Sequence, residues 1–183
     1  MDNYNISVSV TPEEIKKFRK KIKMTQGEFA KFVGVSKPTV ERWEKSKKEI
    51  TGPITTIIDM LSEHDEWLEK RKIPEQRYPL RIWYMYKDKK CTLIEADEIN
   101  RKVFVKNYAE NIFFRAFGAN DNPSYEDYEE FLKSRCFPET RDKIKIQLDA
   151  LGLPFYDPML IIDKTKGRMA EDDFWIMTGE END

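Results

Sequence analysis

Lys37, Thr39, Arg42 and Lys45 lie within the nine residues KPTVERWEK, and on a helical repeat they point mostly outward while Val40 and Trp43 form an inward stripe. Their types suit a nucleic acid. An arginine can hold a guanine edge with two parallel hydrogen bonds, a lysine can neutralise a phosphate, and a hydroxyl can reach base or backbone. Arg42 could also hold only the phosphate backbone, which carries no sequence information. Trp43 reads as core rather than as a stacking platform, because its spacing from Val40 turns it inside.

Other residues that carry chemistry are thinly spread. His64 is the single histidine, and at the end of an apolar helix it reads as a cap or surface residue that complements the helix dipole. General acid–base and metal chemistry lean on imidazole, so neither is expected. Cys91 and Cys136 have neither metal-ligand spacing nor the density of a disulfide scaffold, which points to reduced thiols in a cytoplasmic protein. SRCFPETR invites comparison with a cysteine-phosphatase loop, but only four residues separate Cys136 from Arg141 and they include Pro and Glu instead of glycines. Glu171, Asp172 and Asp173 are consecutive, so they do not converge on one side of a strand and read as a solvated cluster, not a cation site. No enzyme, cofactor or metal is expected.

The 183 residues carry 32 basic and 34 acidic side chains, a formal net charge of -2. Averaged this way, the chain looks unsuited to a polyanion. Between Thr11 and Lys48, however, twelve Lys and Arg face five Glu, a local net charge of +7 that leaves -9 for the rest. Phosphate is felt over one Debye length, ~10 Å at ordinary salt, so the local charge governs. A hydrophobic fraction of 39% suffices for one core or two small ones. No run approaches the roughly 20 apolar residues of a membrane span, and MDNYNISVSV lacks the basic start and apolar core of a signal peptide.

The elements that must position the basic residues can be read from caps and periodicity. Thr25 and Glu28 form a capping box that starts a helix at about Gln26, with Phe29, Ala30 and Val33 facing inward. Gly34 follows where a chain leaves a helix with positive φ, and Ser36 with Pro38 suits the start of a second helix. Small Ala30, Gly34 four residues later and Val40 six after that are the spacing a helix-turn-helix needs. Upstream, Thr11 caps a helix with Ile15, Phe18 and Ile22 as its buried stripe. Downstream, Gly52-Pro53 opens another with Ile54, Ile57, Ile58 and Leu61.

On these residues, Thr11 to His64 resembles the Xre or Cro/C1-type helix-turn-helix, and TPEEIKKFRKKIKMTQGEFAKFVGVSKPTVERWEKSKKEITGP is similar to the DNA-binding domain of MqsA-like antitoxin repressors. The resemblance implies that Gln26 touches phosphate and that Lys37, Thr39 and Arg42 enter the major groove; with Ser36 and Lys45 they make six candidate DNA-binding residues. It also implies that Arg19 and Glu44 lock the first helix to the recognition helix. One departure stands out: the usual W-E-x-G is Trp43-Glu44-Lys45-Ser46 here, so the following loop is expected to differ.

Beyond the charged DEWLEKRKIPEQRYP, a boundary is expected between Pro74 and Pro79. RIWYMYKDKKCTLIEAD reads as a hairpin turning around Lys87 to Lys90, and KVFVKNY and NIFFRAF as two further short runs, strand or helix. Ser124 and Asp127 make a capping-box-like start for a helix carrying Tyr125, Tyr128, Phe131 and Leu132. A second helix is expected from Pro138 or Thr140 to Gly152, a third from Asp157 or Pro158 to about Lys164, and DFWIM as a strand or ordered tail. The stretch from Phe131 to Ile176 resembles modules of small bacterial regulators near HipA-like kinases, which implies a bound partner protein. Its aromatics suit an interface, a dimerisation surface or an ordinary core.

The expected fold is mainly α: a four- to five-helix helix-turn-helix domain over residues 1–75, then a small α+β partner-binding or dimerisation domain over 76–183. The expected function is a dimeric, autoregulatory, antitoxin-like repressor of a palindromic operator on double-stranded DNA, with a toxin or nuclease as possible partner and no membrane. The alternative is a protein inhibitor or antitoxin, phage- or mobile-element-derived and anti-CRISPR-like, that acts through its C-terminal domain while the head only autoregulates.

Overall fold

A computed structural model describes residues 7–179 of the chain; the opening MDNYNI, part of the segment read as no signal peptide, and residues 180–183 lie outside it. The chain divides into two units, Met1–Ile73 and Pro74–Asp183. Among the described residues no helix is long and apolar enough to cross a membrane.

The first unit is built on local signals. After the short strand β1 (Ser9–Val10), Thr11 starts helix α1 (Pro12–Lys21) with a full capping box: its hydroxyl accepts the Glu14 amide, and the Glu14 carboxylate accepts the Thr11 amide at 2.8 Å. Helices α2 (Gln26–Phe32) and α3 (Lys37–Lys45) follow, then β2 (Ile50–Thr51), α4 (Pro53–Glu63) and α5 (Asp65–Arg71). Strand β2 pairs antiparallel with β1, Val10 opposite Ile50, which brings the segment after α3 back beside the start of α1. Ile15, Phe18, Phe29, Ala30, Val40, Ile54 and Ile58 make the buried core, with Trp43 and Leu61 partly covered against it. Ile57 is half-buried, and Thr55 occupies the core instead, its hydroxyl donating 2.7 Å to the Gly52 carbonyl.

The second unit is a four-stranded antiparallel sheet in the order β5-β4-β3-β6, formed by β3 (Leu80–Tyr86), β4 (Lys89–Asp97), β5 (Lys102–Asn107) and β6 (Phe174–Thr178). Helices α6 (Tyr125–Ser134), α7 (Ile144–Leu151) and α8 (Pro158–Thr165) pack on one face around Ile82, Tyr84, Ile94, Phe131, Leu148, Ile162 and Ile176. The expectation of a mainly α chain is therefore corrected. The alternating runs between Leu80 and Asn107, joined by the distant FWIMT, complete a sheet that organises the whole second unit.

The open reading of NIFFRAF resolves to a helical turn, and one helix boundary differs. NIFFRAF forms no strand: Ile112–Phe114 is one 3-10 turn, begun where the Asn111 side chain accepts the Phe113 amide at 3.0 Å. Helix α7 starts at Ile144, not at Pro138 or Thr140, because Lys143 sits in the left-handed region at φ 59 and interrupts any helix from upstream.

Candidate nucleic-acid interface

The turn between α2 and α3 is closed by backbone geometry. The Val35 amide donates 2.9 Å to the Ala30 carbonyl and the Gly34 amide 3.2 Å to Lys31, the paired bonds of a Schellman end, with Gly34 at φ 71. Ser36 stands at the N-cap of α3 with extended backbone, but its hydroxyl is 2.9 Å from the Thr39 hydroxyl and caps no amide. The turn and Val40, fully buried, set the azimuth of α3.

On that helix Lys37, Glu41, Lys45, Arg42 and Thr39 sweep the outer side, while Val40, Trp43 and Glu44 turn in. Ser36, Lys37, Arg42 and Lys45 are exposed; Thr39 and Gln26 are half-buried. Lys37 Nζ lies 3.8 Å from Glu41, an exposed pair that holds little energy. Arg42 and Lys45 have no partner among the described residues, so both cations are open to solvent.

Behind this stripe lies a polar lock. Arg19 donates from Nε to Glu44 Oε1 at 2.6 Å, from Nη2 to Oε2 at 3.1 Å and from Nη1 to the Met24 carbonyl at 2.8 Å. Gln26 Nε2 donates to Glu44 Oε2 at 2.9 Å. One carboxylate thus joins α1, the start of α2 and α3. The Arg19 hydrogen bond holds the Glu44 carboxyl below its ordinary value, against the desolvation that would raise it.

Comparison with protein families matches residues 15–54 to the family described as Helix-turn-helix. Residues 15–54 form a helix-turn-helix domain of the Xre/Cro/C1 type. The helix-turn-helix domain carries all six candidate residues, and a DNA-binding regulator is the function class it supports. The chain is also similar to Antitoxin HigA-2 of Vibrio cholerae serotype O1, 30% identical over 61 residues, which are 33% of this chain and 59% of that protein. The chain therefore spans about three-fifths of the length of that relative.

Within the helix-turn-helix domain the structure adds three things. Glu41, which the sequence reading passed over, sits between Lys37 and Lys45 on the exposed stripe; its i, i+4 spacing from Lys37 was the available signal. Gln26 is held by Glu44 through one N–H, so its amide is aimed before any ligand arrives. At the departure from W-E-x-G, Ser46 has extended backbone at φ -62, which needs no glycine, and its hydroxyl accepts the Lys48 amide at 3.0 Å.

The residues of the second unit that invited chemical readings are engaged in structure. Cys136 is buried and donates to the Leu132 carbonyl at 3.3 Å, and burial pushes its thiol up to about 12, while Arg141 is exposed. Asp172 holds Arg135 through two bonds of 2.7 and 3.0 Å, and Asp173 lies 3.3 Å from Lys87. The acidic run is thereby split between two cations.

Proposed function

We propose that the chain is a sequence-specific transcriptional repressor that silences its own operon, reads a palindromic operator as a dimer, and is antitoxin-like in holding a partner protein through its second unit. The observation that carries this reading is the exposed Lys37, Lys45 and Arg42 stripe on a helix whose azimuth is set by Val40 and whose back is locked by Glu44 to Arg19 and Gln26. Such a helix can enter a major groove with Arg42 toward a base edge and Lys37, Lys45 and Gln26 toward phosphates. A two-fold dimer would place two such helices about 34–36 Å apart, one turn of duplex. Likeness to an antitoxin supports the partner-binding half of the proposal.

Selection of binding sites from random duplex oligonucleotides tests it. A palindromic consensus is expected, and Arg42→Ala should lower affinity for that consensus about 10- to 100-fold while leaving non-specific binding nearly unchanged. Recovery of no preferred sequence would remove the repressor.

A second reading puts the main activity in the second unit, as an inhibitor of a toxin or nuclease. It is favoured by Ile146, Phe155 and Leu160, large apolar side chains left exposed on and between α7 and α8. Inhibition retained by a chain lacking residues 1–73 would support it, and complete loss would return the function to DNA.

A further inference from the structure

Helix α5 is fastened to the first unit by its inner side. Leu68 packs against the apolar core, and Lys21 Nζ on α1 lies 2.6 Å from the Asp65 carboxylate. Seven residues are too few for a helix to persist on its own backbone bonds, and none of those in α5 is fully buried. Its outer side faces solvent: Trp67 is 44% exposed, and Met60, on the preceding helix, 59%. On a repeat of 3.6 residues Glu66 and Lys70 stand opposite Leu68, with Trp67 and Arg71 along one flank. The Arg71 guanidinium lies 5.3 Å from the Trp67 ring centre.

The charges of this helix are ordered along it. Asp65 and Glu66 occupy the first turn, Lys70 and Arg71 the last. Each sign suits the helix dipole. Glu66 and Lys70 are exposed and stand in the order that favours an i, i+4 pair, yet neither has a charged partner among the described residues. The order makes the helix complementary to itself. If two copies lie antiparallel across a two-fold axis near Leu68, position 66 faces position 70 and position 65 faces position 71, so each acidic turn meets the basic turn of the other copy. A parallel pair would set acid on acid. A wholly acidic or wholly basic partner would meet a like charge at one end of α5, and a second copy meets none.

We infer that two copies of this chain associate through α5, antiparallel, with Trp67 of each at the centre and Glu66 and Lys70 at the rim. The inference rests on the dimeric reading above and names the surface that serves it. Trp67 adjoins the position of the axis, so the same ring is covered on both copies, and a tryptophan ringed by charges is the composition of an interface centre with its polar rim. The contact also supplies what a seven-residue helix lacks within one chain, an apolar neighbour on its outer side.

The test is sedimentation velocity of the full chain over a concentration series. Glu66→Lys alone and Lys70→Glu alone each set like charges together on both sides of the axis, and each should weaken self-association about tenfold or more. An equimolar mixture of the two variants brings opposite charges back together, as does one chain carrying both changes, and each should regain the natural affinity. Both positions are exposed, and the changes leave Leu68 and the pair of Lys21 with Asp65 in place, so the fold is retained. Single variants that dimerise like the natural chain, or a mixture and a double variant that stay as weak as the single ones, overturn the α5 contact and leave the dimer standing. A natural chain that stays monomeric throughout removes the dimeric reading and this contact with it.

Discussion

Arg19 and Glu44 meet through two hydrogen bonds with side chains only 12% and 5% exposed, and this pair ties α1 to the inner side of α3. Removing one partner of such a pair leaves the other charge buried and costs about 3–5 kcal/mol. Glu44→Ala should therefore lower the stability of the first unit by about 3 kcal/mol in urea unfolding. A loss under about 1 kcal/mol would mean that the apolar core alone fixes α3.

The same pair predicts a pH dependence. Hydrogen bonding from Arg19 lowers the Glu44 carboxyl below its ordinary value of 4.5, so its stabilisation is fully present above that value and is lost as pH falls through the lower folded one. The stability gap between the natural chain and Glu44→Gln should be constant near neutrality and close below pH 4.5. Urea midpoints taken from pH 7 down to pH 3 measure it, and a gap that widens in acid would contradict the assignment.

Glu41 interrupts the cationic stripe of α3. Glu41→Gln should tighten binding to non-specific duplex about two- to fivefold at low salt and steepen the decline with added salt, because Lys37 and Lys45 then act on phosphate without a neighbouring acid. Titration of a random duplex at several salt concentrations checks this. Weaker binding in Glu41→Gln would instead indicate that the carboxylate accepts from a cytosine amino group.

In the second unit Arg135, only 7% exposed, holds both oxygens of Asp172 together with the Gly167 and Phe174 carbonyls at 3.0 Å each. Arg135→Met strips the partner from the buried Gly167 carbonyl, the half-buried Phe174 carbonyl and Asp172, and should cost about 3 kcal/mol. Asp172→Asn, in which an oxygen acceptor and both carbonyls remain, should cost clearly less. Paired thermal melts order the two, and equal losses would show that the carbonyl bonds contribute nothing.

Burial pushes the Cys136 thiol up to about 12, and Cys91 is raised by the same cause. Both thiols should react with an aromatic disulfide reagent at pH 8 at least about 100-fold more slowly in the folded chain than in urea, since the thiolate is the nucleophile. Fast native labelling at Cys136 would revive a chemical role for the segment around it.

What could be read in the residues themselves is what local forces decide. The Thr11–Glu14, Thr25–Glu28 and Ser124–Asp127 capping boxes close within four residues, and Gly34 takes the positive φ its position demands; each is legible because its partners are sequence neighbours. The spacing of Ala30, Gly34 and Val40 likewise specified the helix-turn-helix, whose contacts are short-range. The sheet was different. The antiparallel pairing of β6 with β3 joins residues about ninety positions apart, and Trp175 Nε1 donates 2.7 Å to the Lys87 carbonyl across 88. No periodicity in FWIMT names its partner strand. The ligation of Glu95 by Arg81 and two amides, the splitting of Asp172 from Asp173, and the bond from Gln26 to Glu44 also appear only once separate elements pack. Such contacts form where tertiary burial compensates loop-closure entropy, and that balance belongs to the whole fold, not to any window of the chain.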